Sequence, residues 1–312
     1  MAATAAPPRR CFALLSHTLS DTTIARYRAL RDALPPSYDV VLLLTDALGT
    51  AARALGIADA EILGPDDIFL PDYGAKGSTR KIRPGNTDLV MMAFARRRPF
   101  YDHIWMIEYD VLFPAGPAVL AELDAASDAD LLLAMRWGSR AAGPNWHWWK
   151  TFSPSPEDAP HLTPDTTIHG LFCVSRYSRR LFAALEQAYR AGWSGHHEAT
   201  VPTIAQLRGL SLDRLDEIAK RRLGRQVVDR TTFATNKCAP LAADMIYHPV
   251  KSEPAAAALL AALGQDWLPP EPAAPAPRAS PARAGWRAAA WPIALPRLFR
   301  APRAQPASAS SG

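Results

Sequence analysis

The sequence predicts an α/β fold, a mostly parallel central sheet flanked by helices, followed by a tail with no core of its own. Three observations carry that expectation. Short apolar runs of the buried-strand type recur at 11–15, 40–44, 103–107, 131–135 and 168–174. Helical patterning separates several of these runs, and strand–helix–strand alternation builds parallel sheets. Past Leu263 the composition shifts to Pro, Ala and Arg and ends in Ser and Gly, too little apolar surface to offset the entropy of ordering. The expected organisation is one folded domain at 10–262 and a disordered tail at 263–312.

The elements follow in order. After the first strand, Ser20 and Asp21 open a helix that runs to about Ala33. The second strand ends in Thr45-Asp46. Gly85 lets the chain turn and Asn86 suits the N-cap of a helix from Thr87 to about Arg98. The run 103–107 reads as a central strand ending in Glu108-Tyr109-Asp110, and strands follow at 131–135 and 168–174. A helix over about 176–191 places Leu181, Leu185 and Ala188 on one face, Gly192 to Gly195 break it, and a further helix follows Pro202. No internal repeat is visible.

Bulk properties narrow the function. At 312 residues, 48% hydrophobic and 21% charged, the chain has the composition of a globular protein with one substantial core. No apolar stretch reaches the length of about eighteen residues that a membrane span needs. The apolar run from Cys11 is interrupted by Ser16, His17 and Ser20, so a secretory signal is not expected and a cytoplasmic location is. Cys11, Cys173 and Cys238 lie far apart with no CxxC pair, which argues against a zinc ribbon or a disulfide framework. Of the net charge of +5, six arginines against Asp266 and Glu271 place +4 after Gln265, so the basic balance belongs to the tail and nucleic-acid binding by the folded part is not expected. Neither GxGxxG nor GxxxxGK[ST] occurs, so phosphates of a bound nucleotide need other partners.

Glu108 and Asp110 can be such partners through a metal. They end a central strand, at the sheet edge where ligands of open α/β sheets bind. Residues two apart in a strand face one side, so their carboxylates should converge. Paired carboxylates favour a cation between them, and hard oxygen donors suit Mg²⁺ or Mn²⁺. A strand end with two solvated acids reads equally well from these residues alone.

The run from Tyr101 to Val111 resembles the central motif of GT-A-type glycosyltransferases, nucleotide-diphospho-sugar transferases marked by Asp-x-Asp or Glu-x-Asp. The resemblance implies Asp110 as metal ligand and Glu108 on the ribose or a metal-bound water, with Glu where the family more often has Asp. Glu198, in Gly195-His-His-Glu198 ahead of Pro202, resembles the catalytic base of inverting members; alternatively it only favours a helix N-terminus, with His196 and His197 at the surface. His248 matches a late histidine that serves as second protein ligand, and an imidazole beside carboxylates suits Mn²⁺. Lys251 could face the diphosphate. Asp46 lies where the family often reads the nucleoside, or is a plain turn residue. The resemblance implies a sugar moved from a nucleoside diphosphate donor to a carbohydrate or other hydroxyl acceptor. A metal-dependent nucleotidyl or phosphoryl transferase and a non-catalytic nucleotide- or carbohydrate-binding module are the other readings.

Three segments complete the expectations. Arg80, Lys81 and Arg83 form a basic loop that could steady phosphates or simply be solvated. Trp146, Trp148 and Trp149 lie close enough to build a binding wall for a sugar ring or an apolar acceptor, and His169 reads as a packed residue. In the tail, Trp286, Trp291, Ile293, Leu295, Leu298 and Phe299 mix with four arginines, a composition that could touch an anionic membrane surface, although Pro292 and Pro296 break a continuous helix.

Overall fold

A computed structural model describes residues 9–45, 48–57, 60–82, 85–233 and 238–265. The chain divides into two units, Met1–Glu271 and Pro272–Gly312, and the second lies outside the described residues together with the tail's expected disorder and membrane contact.

The order of elements is β1 (Arg10–Ser16), α1 (Asp21–Ala33), β2 (Asp39–Thr45), α2 (Gly49–Ala54), β3 (Ala60–Leu63), the single turns α3 (Pro65–Ile68) and α4 (Gly74–Gly77), α5 (Thr87–Arg97) and β4 (His103–Glu108). It continues with α6 (Val119–Ala125), β5 (Leu131–Ser139), β6 (Ile168–Ser178), α7 (Arg179–Arg190), α8 (His197–Leu207), β7 (Leu212–Arg214), α9 (Leu215–Ile218) and α10 (Glu253–Ala262). The strands form one sheet in the order β3-β2-β1-β4-β6-β5-β7. All pairings are parallel except those of β6, which runs against both β4 and β5. The α/β class expected from the sequence, a central sheet flanked by helices, is therefore observed, as a mixed sheet with one reversed strand.

Strand alternation sorts the core into two layers. Cys11, Ala13 and Leu15 of β1 and Ile104 and Met106 of β4 pack under α5, α7 and α8. Phe12 and Leu14, with Trp105 and Ile107, face α1, α6 and α9. α1 begins as read: Ser20 accepts from Thr23 N at 3.2 Å, Asp21 and Arg31 complement the helix dipole at either end, and Pro35 follows its C-cap.

Three readings need correction and a fourth, the cap of α5, holds in position only. β6 continues to Ser178 and α7 starts only at Arg179, because Arg176 is a strand residue with no exposed surface. Its guanidinium donates to Asp124 Oδ1 at 2.8 Å and to Ser127 and Ala129 carbonyls at 2.7 and 3.0 Å, while Ser178 caps α7 by accepting from Leu181 N. α8 starts at His197, before Pro202 rather than after it, since His196 caps it by accepting from Glu198 N. Asn86 occupies the N-cap of α5 without a side-chain cap bond, while Gly85 supplies the turn at φ +97°. β4 stops at Glu108, so Tyr109 and Asp110 lie in a turn closed by Val111 N donating to the Glu108 carbonyl at 3.0 Å.

The reversal of β6 positions the site. β5 runs with β4, so the segment 140–167 leaves β5 at the C-terminal edge of the parallel strands and enters β6 at that same edge. It is thereby held on the side where Glu108 ends β4. α7 then returns from the far edge and brings Gly195 to Glu198 back to it, where Ser153 and Ser194 pair as an antiparallel bridge.

Candidate metal centre and active site

Glu108 and Asp110 meet His248 at the exit of β4. Each of the three offers a ligand atom within 4.8 Å of the others. His248 Nε2 lies 3.1 Å from Glu108 Oε2 and 3.4 Å from Asp110 Oδ1. The segment carrying His248 is fixed on both sides. Leu112 and Tyr247 exchange backbone hydrogen bonds of 2.9 Å, His248 N donates to the Thr232 carbonyl at 2.8 Å, and Val250 N donates to the Asp110 carbonyl at 2.7 Å. The turn, rather than strand alternation, makes the two carboxylates converge.

Asp110 is only 4% exposed, and its Oδ1 is buried without a hydrogen-bond partner. Such an oxygen costs free energy unless a cation or donor reaches it. Burial alone would raise the Asp110 pKa, but the approach and charge of the His248 ring, 3.4 Å from Oδ1, and the charge of Lys251 outweigh it and hold the carboxyl below its ordinary range. Burial would lower His248, and the Cys173, Asp110 and Glu108 groups around it raise it instead. Cys173, beside it on β6, is pushed up to about 11 by burial and stays a thiol. Two carboxylates and an imidazole with one unsatisfied buried oxygen fit a divalent cation of the Mn²⁺ or Mg²⁺ kind.

Arg26 of α1 supports the same turn from beneath, donating to the Tyr109 carbonyl at 2.5 Å. On the other side, a buried lysine joins two loops. Lys76 pairs with Asp88 of α5 at 3.0 Å and donates to the Gly85 and Gly195 carbonyls at 3.1 and 2.8 Å. Tyr189 closes over this pair, bonded to Asp88 and, at 3.2 Å, to Thr200. His197 N donates to the Gly85 carbonyl at 3.0 Å, and its ring hydrogen-bonds with Thr87 at 3.2 Å. A Cβ on Gly85 would stand 2.5 Å from the His196 ring, so the close approach of the two loops requires glycine there. His196 and His197 are therefore buried and not at the surface, and burial, together with the Lys76 charge, lowers His197 to about 3.

Glu198 stands in the first turn of α8, with 19% of its side chain exposed. Burial first, and then the negative charge of Glu108, raise its pKa to about 8, while His248 acts in the opposite direction. The carboxylate thus feels the Glu108 and His248 charges without being hydrogen-bonded to either.

The indoles form a wall beside His196. Trp148 stacks on His196 at 4.2 Å and Trp146 on His169 at 4.4 Å, both half-buried. Trp149 is buried instead, its Nε1 donating to the Gly143 carbonyl at 2.9 Å, and it props Trp146 edge-on at 5.0 Å. His169 is packed, as read.

The structure brings Glu108, Asp110 and His248 together, with Glu198 within the electrostatic reach of Glu108 and His248 and Lys251 acting on Asp110. Arg80 is turned to Asp66 in an exposed ion pair, and Lys81 is exposed beside it. Asp46 and Arg83 lie outside the described residues. Sequence reading missed Lys76, Asp88 and Arg26. The isolated Gly-Ala-Lys-Gly at 74–77 gave no sign that its lysine is buried, since the acid that pairs with it is twelve positions away.

No family model matches the chain, and no curated protein matches it either. Among solved structures it is similar to the galactosyltransferase LgtC in complex with donor and acceptor sugar analogues, at 10% identity over 65% of this chain and 72% of that one, TM-score 0.36. It is also similar to 4-diphosphocytidyl-2C-methyl-D-erythritol synthase from Anaerococcus prevotii DSM 20548, at 6% identity over 66% of this chain and 88% of that one, TM-score 0.38. At such TM-scores these likenesses add nothing to the chemistry of the site, which rests on its own residues.

Proposed function

We propose that the protein is a divalent-metal-dependent glycosyltransferase that moves a sugar from a nucleoside diphosphate donor to an acceptor hydroxyl. The observation that carries this reading is the Glu108, Asp110 and His248 cluster at the exit of β4, with its unsatisfied buried Asp110 oxygen. Asp110 and His248 would hold the ion, with Glu108 on the ion, a water or the ribose. When bound, that ion supplies positive charge against the diphosphate. Lys251 would add to that charge.

Glu198 then takes the proton of the acceptor hydroxyl. The freed oxygen bonds to the anomeric carbon as the bond from that carbon to the diphosphate oxygen breaks, and the electron pair departs with the diphosphate. A base of this kind corresponds to inversion at the anomeric centre. Its raised pKa suits the work, because a carboxylate that ionises near neutral pH takes up a proton more readily than an ordinary one. The aromatic wall beside His196 is suited to the acceptor.

Calorimetric titration with a panel of nucleoside diphosphates, with and without Mn²⁺, tests the reading. Metal-dependent binding of one nucleotide, lost in Asp110→Ala, is the expected result. Absence of nucleotide binding under every metal condition would overturn it. Analysis of the released product separates the chemistries, since sugar transfer liberates a nucleoside diphosphate and nucleotidyl transfer liberates pyrophosphate.

A further inference from the structure

A cavity of about 410 Å³ opens against the aromatic wall, with Met135, Gly143, Asn145, Trp146, His169 and Arg230 among its lining residues. The β5–β6 pairing shifts register twice beside it, between Leu133 and Met135 and between Arg136 and Gly138. Bulges of this kind re-aim side chains at the end of a strand pair, and here they flank the strand ends that supply Met135 and His169. Among the described residues the lining holds one permanent cation, Arg230, and no acid.

Arg230 is exposed and, among the described residues, has neither an ion-pair nor a hydrogen-bond partner. Its backbone is nonetheless ordered. Asp229 Oδ1 accepts from Thr231 N at 2.8 Å and from its hydroxyl at 2.9 Å, and Phe233 N donates to the Asp229 carbonyl at 3.1 Å. The Thr232 carbonyl in the same turn receives the His248 N–H. One short turn therefore holds the backbone of His248 and presents a guanidinium with no partner among the described residues to the cavity. On the opposite wall, Trp146 lies 6.2 Å from the His196 ring, and His196 Nδ1 accepts from Glu198 N. The cavity thus lies between the metal-cluster segment and the wall that leads to the base.

Resting on the reading of the site as a sugar-transfer centre, we propose that this cavity is the acceptor subsite and selects an acceptor bearing a carboxylate or phosphate on a ring. Arg230 holds the anion through paired N–H donors, which match the oxygens of either group. The indole face of Trp146 takes the ring. The donor's diphosphate would be met by the ion that Asp110 and His248 would hold and by Lys251, which leaves Arg230 for a second anion. The volume suits a ligand of one or two rings.

The test uses the full chain and three probes: phenyl β-D-glucuronide, phenyl phosphate and the neutral phenyl β-D-glucoside. Binding is read by calorimetry and by quenching of tryptophan fluorescence. The two anionic probes should bind at least about tenfold more tightly than the glucoside, an effect in keeping with charge-assisted hydrogen bonds. Arg230→Met should erase that preference, and Trp146→Ala should weaken all three probes. Mn²⁺-dependent binding of nucleoside diphosphate, measured in parallel on both variants, reports that the fold and the donor site are intact. Equal binding of charged and neutral probes, binding of none, or a preference that survives Arg230→Met overturns the proposal. If nucleotide binding is normal in such a protein, the acceptor assignment alone fails; if nucleotide binding is absent from the wild type, the sugar-transfer reading fails with it.

Discussion

Glu198 is the residue where environment most clearly changes chemistry. Its carboxyl titrates at about 8 in the fold against an ordinary 4.5, with burial the larger cause. The unfolded chain gives up that proton first as pH rises, so this group withdraws stability from about pH 4.5 to 8 and has no further effect above. Glu198→Gln should therefore become more stable than the wild type across that window, by a margin on the order of a few kcal/mol, tempered by its partial exposure. Denaturant melts at pH 5 and pH 9 measure the difference. If Glu198 is the base, transfer rate should climb to a plateau above about pH 8 and Glu198→Gln should lose about a hundredfold or more. A profile with no rise in that range would remove it from the role. Asp110, His248 and Glu198 could be named as candidates from the sequence because the short segments that carry them resemble motifs of a known family. Lys76 and Arg230 were not, because a buried or uncompensated cation is defined by what the fold brings to it or keeps from it.

Among the elements, the two loops joined by Lys76 show how a site is held without being touched. Lys76→Met would leave the Asp88 carboxylate buried with its cation removed, a loss of about 3–5 kcal/mol that a thermal or urea melt detects. Replacing Asp88 by a neutral residue in the same chain should restore part of it. Gly195 makes a second joint. At φ +122°, with a would-be Cβ 2.5 Å from the Thr151 carbonyl, Gly195→Ala should cost at least about 2 kcal/mol, and wild-type stability would show that the wall and α8 can separate freely. The long apolar strands and α1 were readable from periodicity. The single-turn helices, β3 and β7 were not, since three or four residues carry no period. The end of β6 was misread for a different reason: Arg176 and Ser178 look like the start of a solvent-facing helix until Asp124 and the α7 cap give them interior partners.

Across the whole molecule, Asp124 gathers the sheet. It accepts from Arg10 of β1 at 2.5 Å, Trp105 of β4 at 2.8 Å, Arg176 of β6 at 2.8 Å and Tyr38 at 3.0 Å. Asp124→Ala would strand a fully buried guanidinium and an indole N–H, lowering global stability by about 3–5 kcal/mol in urea titration. Nucleotide affinity should be unchanged while the protein remains folded, because none of these groups lies in the metal cluster. The reversed β6 also has an evolutionary consequence. Segment 140–167 leaves and re-enters the sheet on two strands paired side by side, and Glu108, Asp110, Glu198 and His248 all lie elsewhere in the chain. Its ends form a fixed graft point, so a lineage that exchanges the tryptophan wall between them inherits the Glu108, Asp110 and His248 cluster intact.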